Sequence, residues 1–211
     1  MTTKIVFRNT SGAITVDGTY KNLQYHSKST ITQGGAQKLP LVAPMPNMWA
    51  LSSTGGIQMC PSYGSASATD RIDIWSVVGT GERYEFCDKD FVRANPGINI
   101  YNEISGELVF SSNIKPMRVV DAVSGVANMN AGEVLLEKTY NTSRKYAVVM
   151  GSIPVRLWAG SNIETYCPKI QTSNGYVKIS IEKMTQANAG PYRGTLKTPT
   201  YNFLVVDVTG Y

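Results

Sequence analysis

The clearest alternation of apolar and polar positions lies in residues 97–123. Ile98 and Ile100 alternate with polar neighbours, and after a short turn rich in Ser and Gly the alternation resumes at Leu108 and Phe110. A period of two places each apolar set on one face of a pleated strand. Because Asn, Ser and Gly tolerate tight turns, the two runs predict an antiparallel hairpin.

A third alternating run follows this hairpin. Lys115 and Pro116 interrupt the pattern, and Met117 and Val119 start it again. Proline has no amide hydrogen to donate, so it marks the break between two strands. The stretch therefore predicts a three-stranded meander with one hidden apolar face.

The same design is present at the N-terminus, where Ser11-Gly12 aligns with Ser105-Gly106. Downstream of that turn the alignment has no gap, and it places Ile14 on Leu108, Val16 on Phe110, Tyr20 on Ile114, Lys21 on Lys115, Leu23 on Met117 and Tyr25 on Val119. Upstream, one inserted residue brings Ile5 onto Ile98, Phe7 onto Ile100 and Asn9 onto Asn102. A one-residue slip would turn every apolar side chain to the wrong face, so a shared register favours one sheet built twice. The alternative is that two unrelated hairpins share turn chemistry.

Duplication predicts two sandwich-like halves, residues 1–92 and 97–211, on either side of a linker at 93–96. Each half has about the size of a single β-sandwich. Alternatively, the two halves form one compact body.

The rest of the chain continues the pattern of short strands and turns. Residues 27–38 predict a polar loop around a short strand, and residues 39–48, with three prolines, predict an extended arm. Asn174-Gly175 predicts a two-residue hairpin turn. Further strands are predicted at 48–52, 57–60, 71–78, 83–87, 134–138, 146–150, 155–158, 163–170, 176–181 and 201–208. This spacing predicts an all-β fold, an antiparallel β-sandwich. The last strand is apolar on both faces, which predicts a central strand or one covered by a partner.

Composition and charge narrow the function classes. The chain has 211 residues, 19 of them Gly and 12 Tyr, and only 17% are charged, which suits sheets joined by turns. The net charge of +5 comes from scattered cations, so nucleic-acid binding is not expected. Three cysteines, Cys60, Cys87 and Cys167, leave a thiol unpaired, and a disulfide framework is not expected. No signal-peptide-like or membrane-spanning run is present, which predicts synthesis in a cytosol and no membrane insertion.

The chain shows little sign of catalytic chemistry. The single histidine, His26, has no nucleophile motif to serve, and its register points it away from the core. The close carboxylate pairs are Asp70/Asp73, Glu82/Glu85 and Asp88/Asp90. Glycoside hydrolysis requires two carboxylates facing each other across a cleft, and sequence proximity does not provide that. We therefore predict no enzymatic activity and assign no catalytic, metal or cofactor residue.

Several aromatic residues could stack on sugar rings or, more ordinarily, fill the core or a subunit contact. They are Trp49, Trp75, Trp158, Tyr63, Tyr84, Tyr166 and Tyr192.

The segment INIYNEISGELVFSSNIKPMRVVD resembles the β-rich minor tail or tail-tip proteins of tailed bacteriophages of the siphophage type. The opening IVFRNTSGAITVDGTYKNL is similar to them as well, and KYAVVMGSIPVRLWAG more weakly. The resemblance implies a structural protein of the virion tail, with other tail proteins as partners and a homo-oligomeric state. It carries over no catalytic or receptor-binding residue, and residues 27–95 contribute little to it.

The alternatives to a structural tail protein are a receptor-binding protein and an enzyme. A receptor-binding or lectin-like tail protein would recognise a host-surface glycan or an outer-membrane protein, as the aromatic residues and positive charge suggest. An enzyme would depend on the carboxylate pairs.

Overall fold

A computed structural model describes residues 6–8, 14–17, 23–32, 34–38, 47–61, 74–87, 98–101, 104, 106, 108–111, 115–159, 163–184 and 194–211. All of the regular secondary structure in these ranges is β-strand. The paired strands run antiparallel, including the long ladders on either side of the core. The predicted all-β, antiparallel class is therefore confirmed.

The described ranges hold eighteen strands. They are β1 (Val6–Arg8), β2 (Ile14–Asp17), β3 (Gln24–Ile31), β4 (Gly34–Lys38), β5 (Asn47–Ser52), β6 (Ile57–Pro61), β7 (Ile74–Gly79), β8 (Gly81–Cys87), β9 (Asn99–Tyr101), β10 (Leu108–Ser111), β11 (Arg118–Val126), β12 (Val134–Thr139), β13 (Tyr146–Ser152), β14 (Val155–Ala159), β15 (Ile163–Ser173), β16 (Tyr176–Met184), β17 (Gly194–Thr198) and β18 (Thr200–Asp207).

Two large sheets carry most of these strands. The six-stranded sheet has the order β11-β18-β13-β5-β8-β3. The eight-stranded sheet has the order β12-β16-β15-β6-β7-β4, and β14 pairs with both β15 and β17 beside this path. The short pairs β1–β2 and β9–β10 form two separate two-stranded sheets. The third run of the predicted meander, β11, pairs with β18 and not with β10, so the predicted three-stranded meander is wrong for the described strands.

The main core lies between the two large sheets, as in a β-sandwich. One sheet contributes Leu51, Val148, Phe203 and Val205, and the other contributes Ile57, Met59, Ile170, Val177 and Ile179. These side chains recur at every second position, because a pleated strand turns alternate residues to the same face.

The last strand is interior, as its sequence predicts. β18 lies between β11 and β13, and its neighbouring residues Val205 and Val206 are both fully buried. Since consecutive residues point to opposite faces, both faces of β18 are covered within this chain.

The two halves of the chain build matching ladders. In β4–β7, the pair Gly34↔Val77 is followed by Ala36↔Ser76, so the register skips Gly35. In β12–β16, the pair Val134↔Ser180 is followed by Leu136↔Ile179, and the register skips Leu135. A bulge is a local feature of one ladder, so its recurrence at the same place in both halves is informative.

The short hairpins match in the same way. The pairs Val6↔Asp17, Phe7↔Val16 and Arg8↔Ile14 correspond, under the sequence alignment, to Asn99↔Ser111, Ile100↔Phe110 and Tyr101↔Leu108. The residues skipped, Thr15 and Val109, are also aligned with each other. The matching registers support the duplication, which stays a prediction.

The chain separates into two compact units whose boundaries differ from the predicted halves. Residues 1–27, 43–48 and 85–117 form the first unit, and residues 28–42, 49–84 and 118–211 form the second. Each unit combines residues from both sides of 93–96. The division into residues 1–92 and 97–211 stays a prediction.

Two apolar positions of the three runs predicted as a meander are exposed. Ile98 precedes β9 and so lies outside the β9–β10 ladder, and its exposed fraction is 62%. Val119, on β11, is 47% exposed. The expectation of hidden side chains at Ile98 and Val119 is therefore wrong. The side chains of Phe7 and Ile100, and all of Ile5, lie outside the described residues.

Candidate functional site

The edge formed by β11 and β12 is the first candidate surface. Within the described residues, β11 pairs only with β18, and β12 pairs only with β16. Edge strands present unpaired backbone groups and are natural sites of contact. This edge also carries exposed apolar side chains, Val119, Val120 and Val126 on β11 and Val134 on β12. Val126 is 71% exposed.

Asp121 connects the two edge strands. Its carboxylate accepts hydrogen bonds from Lys138 Nζ at 2.7 Å and from the Tyr140 hydroxyl at 2.8 Å, both across from β11. The Lys138 hydrogen bond, followed by that of Tyr140, lowers the pKa of Asp121. Burial, together with the nearby Asp121 carboxylate, raises the pKa of the Tyr140 hydroxyl. The two edge strands are thereby held together at this point.

Asp207, at the end of β18, is a buried carboxylate at the centre of an ion-pair network. Its side chain is 1% exposed and accepts hydrogen bonds from Arg144, from Arg118 at 3.4 Å and from the Thr209 amide at 2.9 Å. Arg118 also donates to the Thr209 carbonyl at 2.7 Å, and its guanidinium lies 4.8 Å from the Tyr211 ring centroid. Desolvation opposes ionisation of Asp207, but these hydrogen bonds and charges outweigh it and lower its pKa. The network fixes residues 207–211 against β11 and the turn before β13.

A row of polar side chains crosses one end of the eight-stranded sheet. In the strand register, Lys197 of β17 lies opposite Arg156 of β14, which lies opposite Tyr166 of β15, which lies opposite Lys183 of β16. Residues directly opposite each other share one face of a sheet. We call these four residues the basic row.

Glu164, on β15, joins the basic row. It accepts hydrogen bonds from Lys183 Nζ at 2.5 Å and from the Tyr166 hydroxyl at 3.1 Å. The hydrogen bond from Lys183, then that from Tyr166, lowers the pKa of Glu164. The Arg156 guanidinium lies 5.3 Å from the Tyr166 ring centroid. With Glu164, the row has three cations and one carboxylate, and so carries excess positive charge.

The predicted carboxylate pairs form no described catalytic cleft. Glu82 and Glu85 are three positions apart on β8 and so point to opposite faces. The Glu82 carboxylate accepts hydrogen bonds from Tyr84 at 2.6 Å and is paired with Lys28 at 3.2 Å, whereas Glu85 is 2% exposed and accepts from Ser27 at 3.1 Å. The other pairs, Asp70/Asp73 and Asp88/Asp90, lie outside the described residues.

The predicted aromatic residues divide between core and surface. Tyr84 is fully buried, and Trp49 packs on the main core, so the ordinary structural role holds for both. Tyr166 alone among the described side chains of this set belongs to the basic row. Trp158 lies opposite Glu164 in the strand register, next to the row. Tyr63 and Tyr192, and the side chains of Trp75 and Trp158, are outside the described residues.

His26, Cys87 and Cys167 form no described reactive site. His26 is half-buried on β3, and the two cysteines are fully buried thiols that form no disulfide. Burial in apolar surroundings makes a thiol inert. The Cys167 sulfur instead accepts a long contact from the Gln58 amide at 3.8 Å. Among the described residues, no three or more His, Cys, Asp or Glu side chains are grouped to hold a metal ion.

Sequence reasoning does not find the basic row. Its members are at positions 156, 166, 183 and 197, and only the register of four strands brings them together. Each strand contributes a single cation or tyrosine to the row, and one such residue in an alternating run is also typical of a solvent-exposed face.

Within the described residues, no helix is long and apolar enough to cross a membrane. Comparison with protein-family models, with curated proteins and with solved structures found no match for this chain.

Proposed function

We propose that this protein is a structural subunit that acts through contacts with other proteins, as a minor tail or tail-tip component of a tailed bacteriophage. The exposed valines on the β11 edge support this proposal most directly. Apolar side chains on a terminal strand gain free energy when a neighbouring subunit covers them. The assignment to a phage tail rests on the sequence resemblance.

The local structure of β11 favours a contact through its side chains. It does not favour pairing along β11 with a long strand from a neighbouring subunit. The register of β11 against β18 shifts between Val119 and Asp121, and Asp121 turns toward Lys138 and Tyr140. A bulge and an inward-pointing charge both hinder regular strand pairing. Neighbouring subunits, including further copies of this chain, would then pack on Val120 and Val126. A stable contact of this type buries on the order of 1,200–2,000 Å².

Replacing Val120 and Val126 by lysine tests the proposal. Both side chains are exposed, so the variant should keep the stability of the folded chain within about 0.5 kcal/mol. It should lose oligomerisation in light scattering and incorporation into purified tails, because two charges would be desolvated in the contact.

The matched control is Ser173→Lys, an exposed position at the β15–β16 turn, which should assemble like the wild type. A wild-type chain that stays monomeric and never joins purified tails would overturn the proposal.

A second candidate function is recognition of a host-surface glycan by a tail protein of this kind. The basic row favours it, because this surface combines cations, an aromatic ring and a carboxylate on one sheet face. Such side chains can contact the charged groups, hydroxyls and apolar faces of sugars.

A further inference from the structure

We infer that the basic row binds an acidic polysaccharide. The inference rests on the second candidate function, glycan recognition, and it is independent of assembly into a tail. Four observations carry it: the strands that hold the row, a pair of opposed cations, the position of Glu164 and the geometry of the surface.

The two strands that carry half of the row, β14 and β17, lie beside the main path of the eight-stranded sheet. In the eight-stranded sheet, β12, β16 and β15 correspond in order and register to β4, β7 and β6. Among the described strands, β14 and β17 have no counterpart in the N-terminal half. β14 and β17 pair with each other. On the same side of β15, β6 pairs at Lys169 and Ile170, and β14 pairs nearer the start of β15, at Tyr166.

Arg156 and Lys197 form a cross-strand pair of like charge. They lie directly opposite each other in β14–β17. Two opposed cations concentrate positive charge at this point of the sheet. Glu164 lies close enough for Arg156 to contribute to the lowering of its pKa. A bound carboxylate or sulfate group placed between Arg156 and Lys197 can accept charge-assisted hydrogen bonds from both side chains.

Glu164 selects among anionic ligands. A dense polyphosphate, such as a nucleic acid, would place charges beside this carboxylate and be repelled by it. A polysaccharide carries fewer charges and many hydroxyls, and hydroxyls can donate hydrogen bonds to Glu164. The combination of three cations with one carboxylate therefore fits an acidic glycan better than a nucleic acid.

The geometry suits an extended ligand. Neighbouring strands are about 4.8 Å apart, so the row from Lys197 to Lys183 extends over roughly 14 Å. Lys197 is exposed, Lys183 is exposed, and Arg156 and Tyr166 are partly accessible. An extended chain crossing the four strands can reach all of these side chains at once.

The test is binding of the full-length protein to alginate, a carboxylated polysaccharide, by isothermal titration at low and at physiological salt. We expect binding that weakens with salt, because exposed charges are screened. The double variant R156Q/K197Q should bind about tenfold more weakly or worse, since each charge-assisted hydrogen bond contributes substantially to affinity. Neutral dextran of the same length should not bind.

The matched control is Lys178→Gln, which removes a cation from the same strand as Lys183. Lys178 is five positions earlier on β16, so it points to the opposite face of the sheet, where it pairs with Glu137 at 3.1 Å. This variant should bind alginate like the wild type.

Three results would overturn the inference: no binding of alginate, equal loss in the control and the double variant, or tighter binding of single-stranded oligo-dT than of alginate. Light scattering of R156Q/K197Q separates this inference from the assembly proposal. Intact oligomerisation with lost alginate binding places the two functions on different surfaces. If R156Q/K197Q lost both oligomerisation and alginate binding, the binding defect would be a consequence of failed assembly, and the inference would be overturned.

Discussion

Asp207 illustrates how a single residue fixes one end of the chain. A carboxylate that is 1% exposed is costly to bury unless its charge is paired and its oxygens are hydrogen-bonded. Arg144, Arg118 and the Thr209 amide supply these partners. Both arginines keep contact with water, with side-chain exposed fractions of 39% for Arg118 and 47% for Arg144. The arginines are thus spared most of the desolvation that Asp207 undergoes.

The variant Asp207→Asn should lower the free energy of unfolding by about 2–3 kcal/mol at pH 7. Removing one partner of a fully buried pair costs about 3–5 kcal/mol, and the partial exposure of both arginines reduces that cost. The measurement is urea denaturation. The control is Asp121→Asn, because the Asp121 side chain is 24% exposed. This variant should lower the free energy of unfolding by no more than about 1 kcal/mol. Equal losses would contradict a special role for Asp207.

The same residue predicts a dependence of stability on pH. The pKa of Asp207 is lowered in the folded protein, so folding favours its charged form. The stabilisation that ionised Asp207 gives the folded protein is fully present above the pKa of an Asp in the unfolded chain, about 3.9. It is lost as the pH falls through the lower pKa that Asp207 has in the folded protein. The difference in unfolding free energy between wild type and Asp207→Asn should therefore shrink below about pH 4. A constant difference down to pH 2 would contradict the assigned pKa shift.

At the scale of elements, period-two alternation predicts most of the strands. The predicted runs at 146–150, 176–181 and 201–208 match β13, β16 and β18. Their alternating pattern is clear because the apolar residues on one face of each strand pack in the main core. β4 and β17 were not predicted as strands. β4, with the sequence GGAQK, has no alternation of its own and is a strand because β7 provides its ladder. Pairing with a neighbour can override local propensity, and sequence alone does not show the neighbour.

The turn between β15 and β16 was predicted from Asn174-Gly175, and the structure gives it a second constraint. Gly175 has φ +76°, and a Cβ atom there would lie 2.5 Å from Thr142 Cα. Gly132 has φ +81°, but a Cβ atom there would meet nothing within 4 Å. The two positions share a left-handed backbone and differ only in the space around it.

The variant Gly132→Ala should therefore lower the free energy of unfolding by about 1–2 kcal/mol, the cost of a left-handed backbone. Gly175→Ala should lower it by about 3–4 kcal/mol, because the backbone at Thr142 must also shift. Urea denaturation of both variants provides the measurement. A Gly175→Ala variant that is no less stable than Gly132→Ala would show that the turn and residue 142 are not in contact.

At the scale of the whole molecule, the two large sheets draw on both halves of the sequence. In the six-stranded sheet, β11, β18 and β13 come from residues 97–211, and β5, β8 and β3 come from residues 1–92. The two groups meet where β13 pairs with β5 at Val148↔Leu51 and Val149↔Ala50. In the eight-stranded sheet they meet where β15 pairs with β6 at Lys169↔Gln58 and Ile170↔Ile57. Sequence patterns predict most of the individual strands, but these two junctions are long-range pairings that no local pattern specifies.

Cleavage of the chain between the halves tests this arrangement. A protease site inserted at 93–96 would yield fragments 1–92 and 97–211. Leu51, Ile57, Val148 and Ile170 are each no more than 1% exposed and belong to one core cluster, so separation would expose apolar surface from both fragments. We expect the cleaved fragments to elute together in size-exclusion chromatography and to separate only at denaturant concentrations that unfold them. A control cut at the same site after denaturation should give two separate fragments. Two folded fragments that separate without denaturant would show instead that each half forms an independent sandwich, in which no strand pairs with a strand of the other half.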